Sequence, residues 1–147
     1  MSAKMIPAEG EVFVGHVPAV RKLAHVTVGV ASNSPDVTLT GEVGQVATLF
    51  DVNVPIVVTK FWTQVTDGFL TDTAAVAFGD SDDIDRFIDV VQATTVGIAT
   101  GAVLVDATGL SVPYVYAAAQ DIQAVTETAS FANGLIHVYM EYYELND

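Results

Sequence analysis

Residues 136–143 read Ile136-His137-Val138-Tyr139-Met140-Glu141-Tyr142-Tyr143. Ile136, Val138, Met140 and Tyr142 take every second position, with His137, Tyr139, Glu141 and Tyr143 between them. Successive strand side chains point to opposite faces, so this period of two marks a strand with one face in a core and one outside it. Tyr142 and Tyr143 then point in opposite directions. At least one of them leaves the core, where its amphipathic ring suits a sandwich rim or a subunit contact.

The same alternation opens the domain, where Val26, Val28 and Val30 share one face and His25, Thr27 and Gly29 the other. Between these ends the pattern predicts strands at 37–40, 46–52, 54–66, 74–78, 112–118 and 122–128. Ile56, Val57 and Val58 make the long strand apolar on both faces, which places it centrally. Turns are expected at 32–36 and 41–44, at Asn133-Gly134, and in hairpin form at Asp67-Gly68. Residues 92–111 read as loop with weak strand. The run Asp80-Ser81-Asp82-Asp83-Ile84-Asp85 ahead of Arg86-Phe87-Ile88 predicts a short helix near 83–91, with acids at its N-terminus. Short strands spaced roughly 8–12 residues apart give an all-β fold, a β-sandwich or jelly roll.

Pro7, Gly10, Gly15 and Pro18 interrupt the first residues, which show no periodicity. Residues 1–22 are therefore expected as an extended N-terminal arm and 23–147 as one β-sandwich domain, a usual size for a single core. The composition agrees: 25 valines against 8 leucines, with 15 threonines, because branching at Cβ suits a pleated sheet and crowds a helix. Mean hydropathy is +0.45. Even so, Lys60, Asp89, Asp106 and Asp121 break every apolar stretch before the ~18 residues of a membrane span. The opening MSAKMIPAEGEVF has no apolar core of a signal peptide.

The formal charge is −13, which argues against nucleic acid as a partner, since phosphates require a positive field. Acid of this kind keeps a valine-rich surface in solution or complements a basic partner. It is unevenly placed. Residues 1–22 hold three basic and two acidic side chains, and the remainder two basic and sixteen acidic.

Catalytic signals are missing. With no cysteine there is no thiolate metal site, cysteine nucleophile or disulfide. Counted from Asp80, an EF-hand loop would need an acid at its fifth place and glycine at its sixth, where Ile84 and Asp85 stand. The better reading has one acid capping the helix and Arg86 pairing with another acid or with backbone carbonyls. His16, His25 and His137 lack the spacing of a helical metal site, and His25 and His137 are expected to face solvent. There is no G-x-S-x-G and no phosphate-binding glycine loop. Trp62, the single tryptophan, is expected in the core. These readings leave no catalytic residue, metal or cofactor, and point to binding or assembly.

In order along the chain, the segments Val52-Asn53-Val54-Pro55 running into Ile56-Val57-Val58, Phe78-Gly79-Asp80 with Asp83-Ile84-Asp85-Arg86-Phe87, Tyr114 to Tyr116, Asp121-Ile122 with Thr126 and Thr128, and 134–142 resemble a family of small β proteins. These are the capsid decoration, or cement, proteins of tailed bacteriophages. The resemblance covers about residues 45–143, and its most distinctive piece is G-D-x-x-D-x-D-R-F. It implies a jelly-roll-like virion protein, made in the host cytoplasm, that sits as a homotrimer on the capsid exterior. Its partners would be the major capsid protein and further copies of itself. The alternative is a receptor- or glycan-binding module of a head or tail fibre. The arm lies outside the resemblance, but its charge makes Lys4, Ile6, Arg21 and Lys22 candidate contacts to neighbours, together with Tyr142 and Tyr143.

Overall fold

The computed structural model describes residues 20–68, 74–92, 97–100 and 113–145. Within them run the strands β1 (Arg21–Val30), β2 (Val37–Leu39), β3 (Val46–Val52), β4 (Ile56–Asp67), β5 (Ala75–Gly79), β6 (Ile88–Gln92), β7 (Gly97–Thr100), β8 (Tyr114–Tyr116), β9 (Gln120–Glu127) and β10 (Leu135–Glu144). They form two sheets packed as a sandwich. The larger has the order β2-β1-β10-β4-β7, with β8 also paired to β4, and the smaller has the order β3-β9-β5-β6. The described pairings are antiparallel except β1 with β2.

The closing strand sits at the centre of the larger sheet, and its register explains the alternation. Ala24, Met140 and Phe61 lie in one row across β1, β10 and β4; Val26, Val138 and Thr63 in the next; and Val28, Ile136 and Val65 in a third. All but Ala24 are buried. Leu49, Val52, Val76, Phe78, Ile122 and Ala124 of the smaller sheet complete this core. Phe61 stacks on Phe87 with ring centroids 4.6 Å apart and tilts against Phe78 at 6.0 Å. Each such side chain withdrawn from water is worth about 1.5–3 kcal/mol, which makes this layer the main source of stability.

One irregularity sets which side chains face inward. Glu141 pairs with Lys60 and Tyr142 with Val58, leaving Thr59 as an extra residue in β4. This β-bulge shifts the alternation by one. Ile56 and Val58 face inward before it, Phe61, Thr63 and Val65 after it. The Thr59 hydroxyl is 2.8 Å from Glu141 Oε1 and 3.2 Å from the Glu141 carbonyl oxygen, tying the bulge to β10.

Two expectations are corrected. There is no helix at 83–91: residues 81–87 form turns and bends, and the chain enters β6 at Ile88. The acids bind the backbone locally instead of leading a helix. Asp80 Oδ1 accepts the N–H groups of Asp82 and Asp83, both at 3.0 Å, and closes a turn. The Phe87 N–H then donates to the Phe78 carbonyl at 3.0 Å, so the chain returns as a strand. The hairpin at Asp67-Gly68 does not form either, because β4 and β5 belong to different sheets. The helical element found among the described residues is a 3₁₀ turn at Ala31–Asn33.

Candidate functional site

The outer face of the larger sheet collects the exposed side chains in rows. Arg21, Tyr143, Val57 and Val115 cross β1, β10, β4 and β8. The next row is Leu23, Glu141 and Lys60, followed by His25, Tyr139 and Trp62, and then by Thr27, His137 and Gln64. Trp62 is half-buried on this face and does not lie in the core. The bulge at Thr59 is the reason, since it gives the inward place to Phe61.

The third row is a stack of rings. Trp62 and Tyr139 have centroids 5.3 Å apart and planes 11° apart, and His25 covers Tyr139 at 4.6 Å and 18°. His25 Nε2 lies 2.9 Å from His137 Nδ1, with centroids 5.2 Å apart and planes within 8°. Those three values place the imidazoles edge to edge in nearly one plane, joined by a hydrogen bond. His25 is exposed and His137 half-buried, on the solvent side expected for both. Asp36 borders the row: its Oδ2 accepts the Thr27 N–H at 3.0 Å, and its own N–H donates to Thr27 Oγ1 at 2.8 Å. Hydrogen bonds to its carboxyl from the Thr27 backbone, and next from the Thr27 side chain, hold it below the usual carboxylate range.

Of the six residues expected at contacts, Lys4 and Ile6 lie outside the described residues. Arg21 and Lys22 begin β1 and do not form part of an arm. Arg21 Nε is 3.7 Å from Glu141 Oε2, and Lys22 Nζ is 2.8 Å from Glu144 Oε1, a hydrogen bond that raises the lysine pKa. Tyr143 faces outward in the first row. Tyr142 faces the other way, packs against the core, and lines a cleft of about 260 Å³ with Ala24, Phe50, Val52, Ile56 and Met140. The structure therefore joins Arg21 and Tyr143 on one surface and sends Tyr142 elsewhere. A shallow groove of about 370 Å³ lies between Arg21, Lys22, Leu23, Trp62 and Glu141. Sequence reading missed Leu23 and Lys60, because one exposed leucine and one lysine carry no signal until the register sets them beside Trp62.

The acidic run is a structural device. Asp80 is 1% exposed and Arg86 7%. Arg86 Nε donates to Asp80 Oδ2 at 2.6 Å, Arg86 Nη2 to Oδ1 at 3.3 Å, and the Tyr116 hydroxyl to Oδ2 at 2.6 Å. The Arg86 guanidinium also lies over the Tyr114 ring, 4.1 Å from its centroid. Burial opposes the Asp80 charge, but the bonds from Arg86, Tyr116 and the Asp83 N–H outweigh it and hold the carboxyl below its ordinary range. Burial and the bond to Asp80 push the Tyr116 hydroxyl far above its own. One acid thus caps a turn and pairs with Arg86 at once. Among the described residues no three histidine or carboxylate side chains are placed to hold a metal ion.

No family model and no curated protein matches the chain. Solved structures do. A chain of the capsid asymmetric unit of cyanophage Pam1 superposes with a TM-score of 0.62 at 14% identity, over 99% of this chain and 96% of that one. Looser likenesses are a chain of the acidic stable capsid of Helicobacter pylori bacteriophage KHP30 (TM-score 0.48, 15% identity, 86% and 91% covered) and one of the virus-like particle of Macrobrachium rosenbergii extra small virus (0.40, 13%, 97% and 86%). Along nearly its whole length, the chain has the fold of a protein found in a phage capsid.

Proposed function

We propose that this protein is a structural component of a phage virion that binds the outside of the capsid and fastens neighbouring major capsid subunits. The observation that carries this reading is the end-to-end fold match to a chain of the Pam1 capsid asymmetric unit. The surface chemistry supports it. One face of the sandwich carries Trp62, Tyr139, Tyr143 and Arg21, residue types enriched at protein contacts, with Leu23 and Lys60 beside them. Repeated over a symmetric shell, even weak contacts of this kind add through multivalency. Lys4 and Ile6, in residues that precede β1, would extend the same contact.

The test is co-sedimentation with shells of the same phage from which this protein has been removed. Full-length protein should rebind, and Trp62→Ser with Leu23→Ser should weaken rebinding at least tenfold without lowering stability to match. Shells that ignore the folded protein would overturn the reading. The fibre alternative has less support, because the face of Tyr139 that a sugar ring would cover already stacks on Trp62 and His25.

A further inference from the structure

Gly134 stands directly ahead of β10, and its backbone has little choice there. Its φ of 148° lies where side chains are rarely accommodated, so the position calls for glycine. The Val30 N–H donates to the Gly134 carbonyl oxygen at 3.2 Å, and a Cβ on the facing Gly29 would run into that same oxygen. The residue before Gly134 is the half-buried Asn133. Asparagine followed by glycine is chemically unstable. Once the glycine nitrogen loses its proton it attacks the asparagine Cγ, and no side chain hinders the approach.

One side chain stands in the way. The Gly134 N–H donates to Asn33 Oδ1 at 3.2 Å, and Asn33 Nδ2 donates to Asp67 Oδ2 at 2.6 Å. Only the amide nitrogen of Asn33 can donate to the carboxylate, so the bond to Asp67 turns the amide oxygen toward Gly134. Asn33 ends the 3₁₀ turn Ala31–Asn33 and Asp67 ends β4, so neither belongs to the segment that they restrain. An oxygen facing the N–H stabilises it and repels the anion that its loss would leave. The Asp67 carboxylate, opposite Leu135 in the register, adds to that repulsion. Asn33-Ser34, a second pair with a small following residue, is held in the same way: the Ser34 N–H donates to the Ala31 carbonyl oxygen at 3.0 Å.

We propose that Asn133 is a deamidation site and that Asn33 is the guard that keeps it closed. When the Asn33 bond opens, hydroxide removes the Gly134 proton and the nitrogen forms a bond to Asn133 Cγ. The side-chain nitrogen leaves as ammonia, taking a proton back from water, and a five-membered succinimide remains. Water then adds to the ring and breaks one of its two carbonyl–nitrogen bonds, leaving aspartate or isoaspartate. The net change consumes water and releases ammonia, with no oxidant or reductant. Either product adds a negative charge at the end of the sheet that holds Asp67. Isoaspartate also adds a carbon to the backbone just ahead of β10, the strand whose register sets the rows on both faces of the larger sheet. A chain that has opened here is therefore marked permanently. The inference concerns the chain itself and holds whatever the protein binds.

The experiment is peptide mass spectrometry of the full chain held at mildly alkaline pH, with fragmentation locating each conversion of amide to acid. Folded wild type should convert at Asn133 about tenfold more slowly, or slower still, than the same chain in urea, and folded Asn33→Ala should regain most of that difference. Asp67→Ala, which leaves Asn33 in place without its anchor, should give a smaller rise. Tyr116→Phe, which loosens the fold at another point, should stay as slow as wild type. Hydrogen exchange of the Gly134 amide requires loss of the same proton, so it tests the guard with no substitution and should be slow in wild type. Three results would each overturn the proposal: a wild-type Gly134 amide that exchanges as fast as in the unfolded chain, an Asn33→Ala chain that converts no faster than wild type, or a Tyr116→Phe chain that converts as fast as Asn33→Ala.

Discussion

Asp80 and Arg86 meet at 2.6 Å with side chains 1% and 8% exposed, and the same carboxylate takes the Tyr116 hydroxyl and two backbone N–H groups. The pair welds the turn after β5 to β8. Removing one member leaves the other charged and out of water. Asp80→Ala should therefore cost about 3–5 kcal/mol, against roughly 0.5 kcal/mol or less for Asp82→Ala two residues away. Urea denaturation of both variants checks the contrast.

The same pair sets a response to acid. The folded pKa of Asp80 is held below its ordinary value, so the stabilisation from its ionised form is complete above that value. It is lost as pH falls through the depressed folded pKa, while Arg86 stays charged. Urea midpoints of wild type should drop as pH is lowered below about 4, and those of Asp80→Asn should drop less steeply. Equal slopes would show that other carboxylates govern the acid limb.

Tyr116→Phe keeps the ring against Phe87 and deletes one bond to a charged acceptor. The expected loss is about 1.5–3 kcal/mol, again by urea denaturation. A loss near zero would mean that Arg86 and the Asp82 and Asp83 N–H groups satisfy Asp80 without the hydroxyl.

Gly79 lies at the end of β5, under the acidic turn. A Cβ there would run into the Asp83 carbonyl oxygen and come within 2.7 Å of the Arg86 nitrogen, both rigid backbone. Gly79→Ala should cost about 1–3 kcal/mol or more through overpacking, whereas alanine in an open strand would be harmless. Thermal unfolding reads this directly.

Phe61 and Trp62 are neighbours in β4 with opposite fates. Phe61→Ala opens the core and should cost about 3–5 kcal/mol. Trp62→Ala removes a half-buried ring that stacks on Tyr139, and should cost about 1–2 kcal/mol. If the tryptophan proved the costlier of the two, the assigned faces of β4 would be reversed.

The strands were legible because valine, threonine and aromatic residues alternate with few interruptions, and β1 and β10 match their sequence pattern almost residue for residue. Two features were hidden for physical reasons. An aspartate that closes a turn on its own backbone looks, in sequence, like an aspartate that leads a helix, and Asp80 chose the turn because Arg86 and Tyr116 meet it there. The placement of Trp62 depends on Thr59: Ile56, Val57 and Val58 are apolar on both faces, so the alternation ahead of Lys60 does not show where it shifts. The interaction surface was legible only in part. Arg21 and Tyr143 carried signals of charge and amphipathy, but Leu23 and Lys60 acquire meaning from the register across β1, β10 and β4.

Thr59 acts as a phase marker for the longest strand. Deleting it would set Val58 directly before Lys60, opposite the adjacent Tyr142 and Glu141, so the ladder would become regular and both halves of β4 would keep their present faces. A deletion away from the bulge, at Gln64 for example, has no spare residue beside it and would turn part of the strand over, exchanging its inward and outward side chains. The longest strand therefore carries, at Thr59, a residue it can lose.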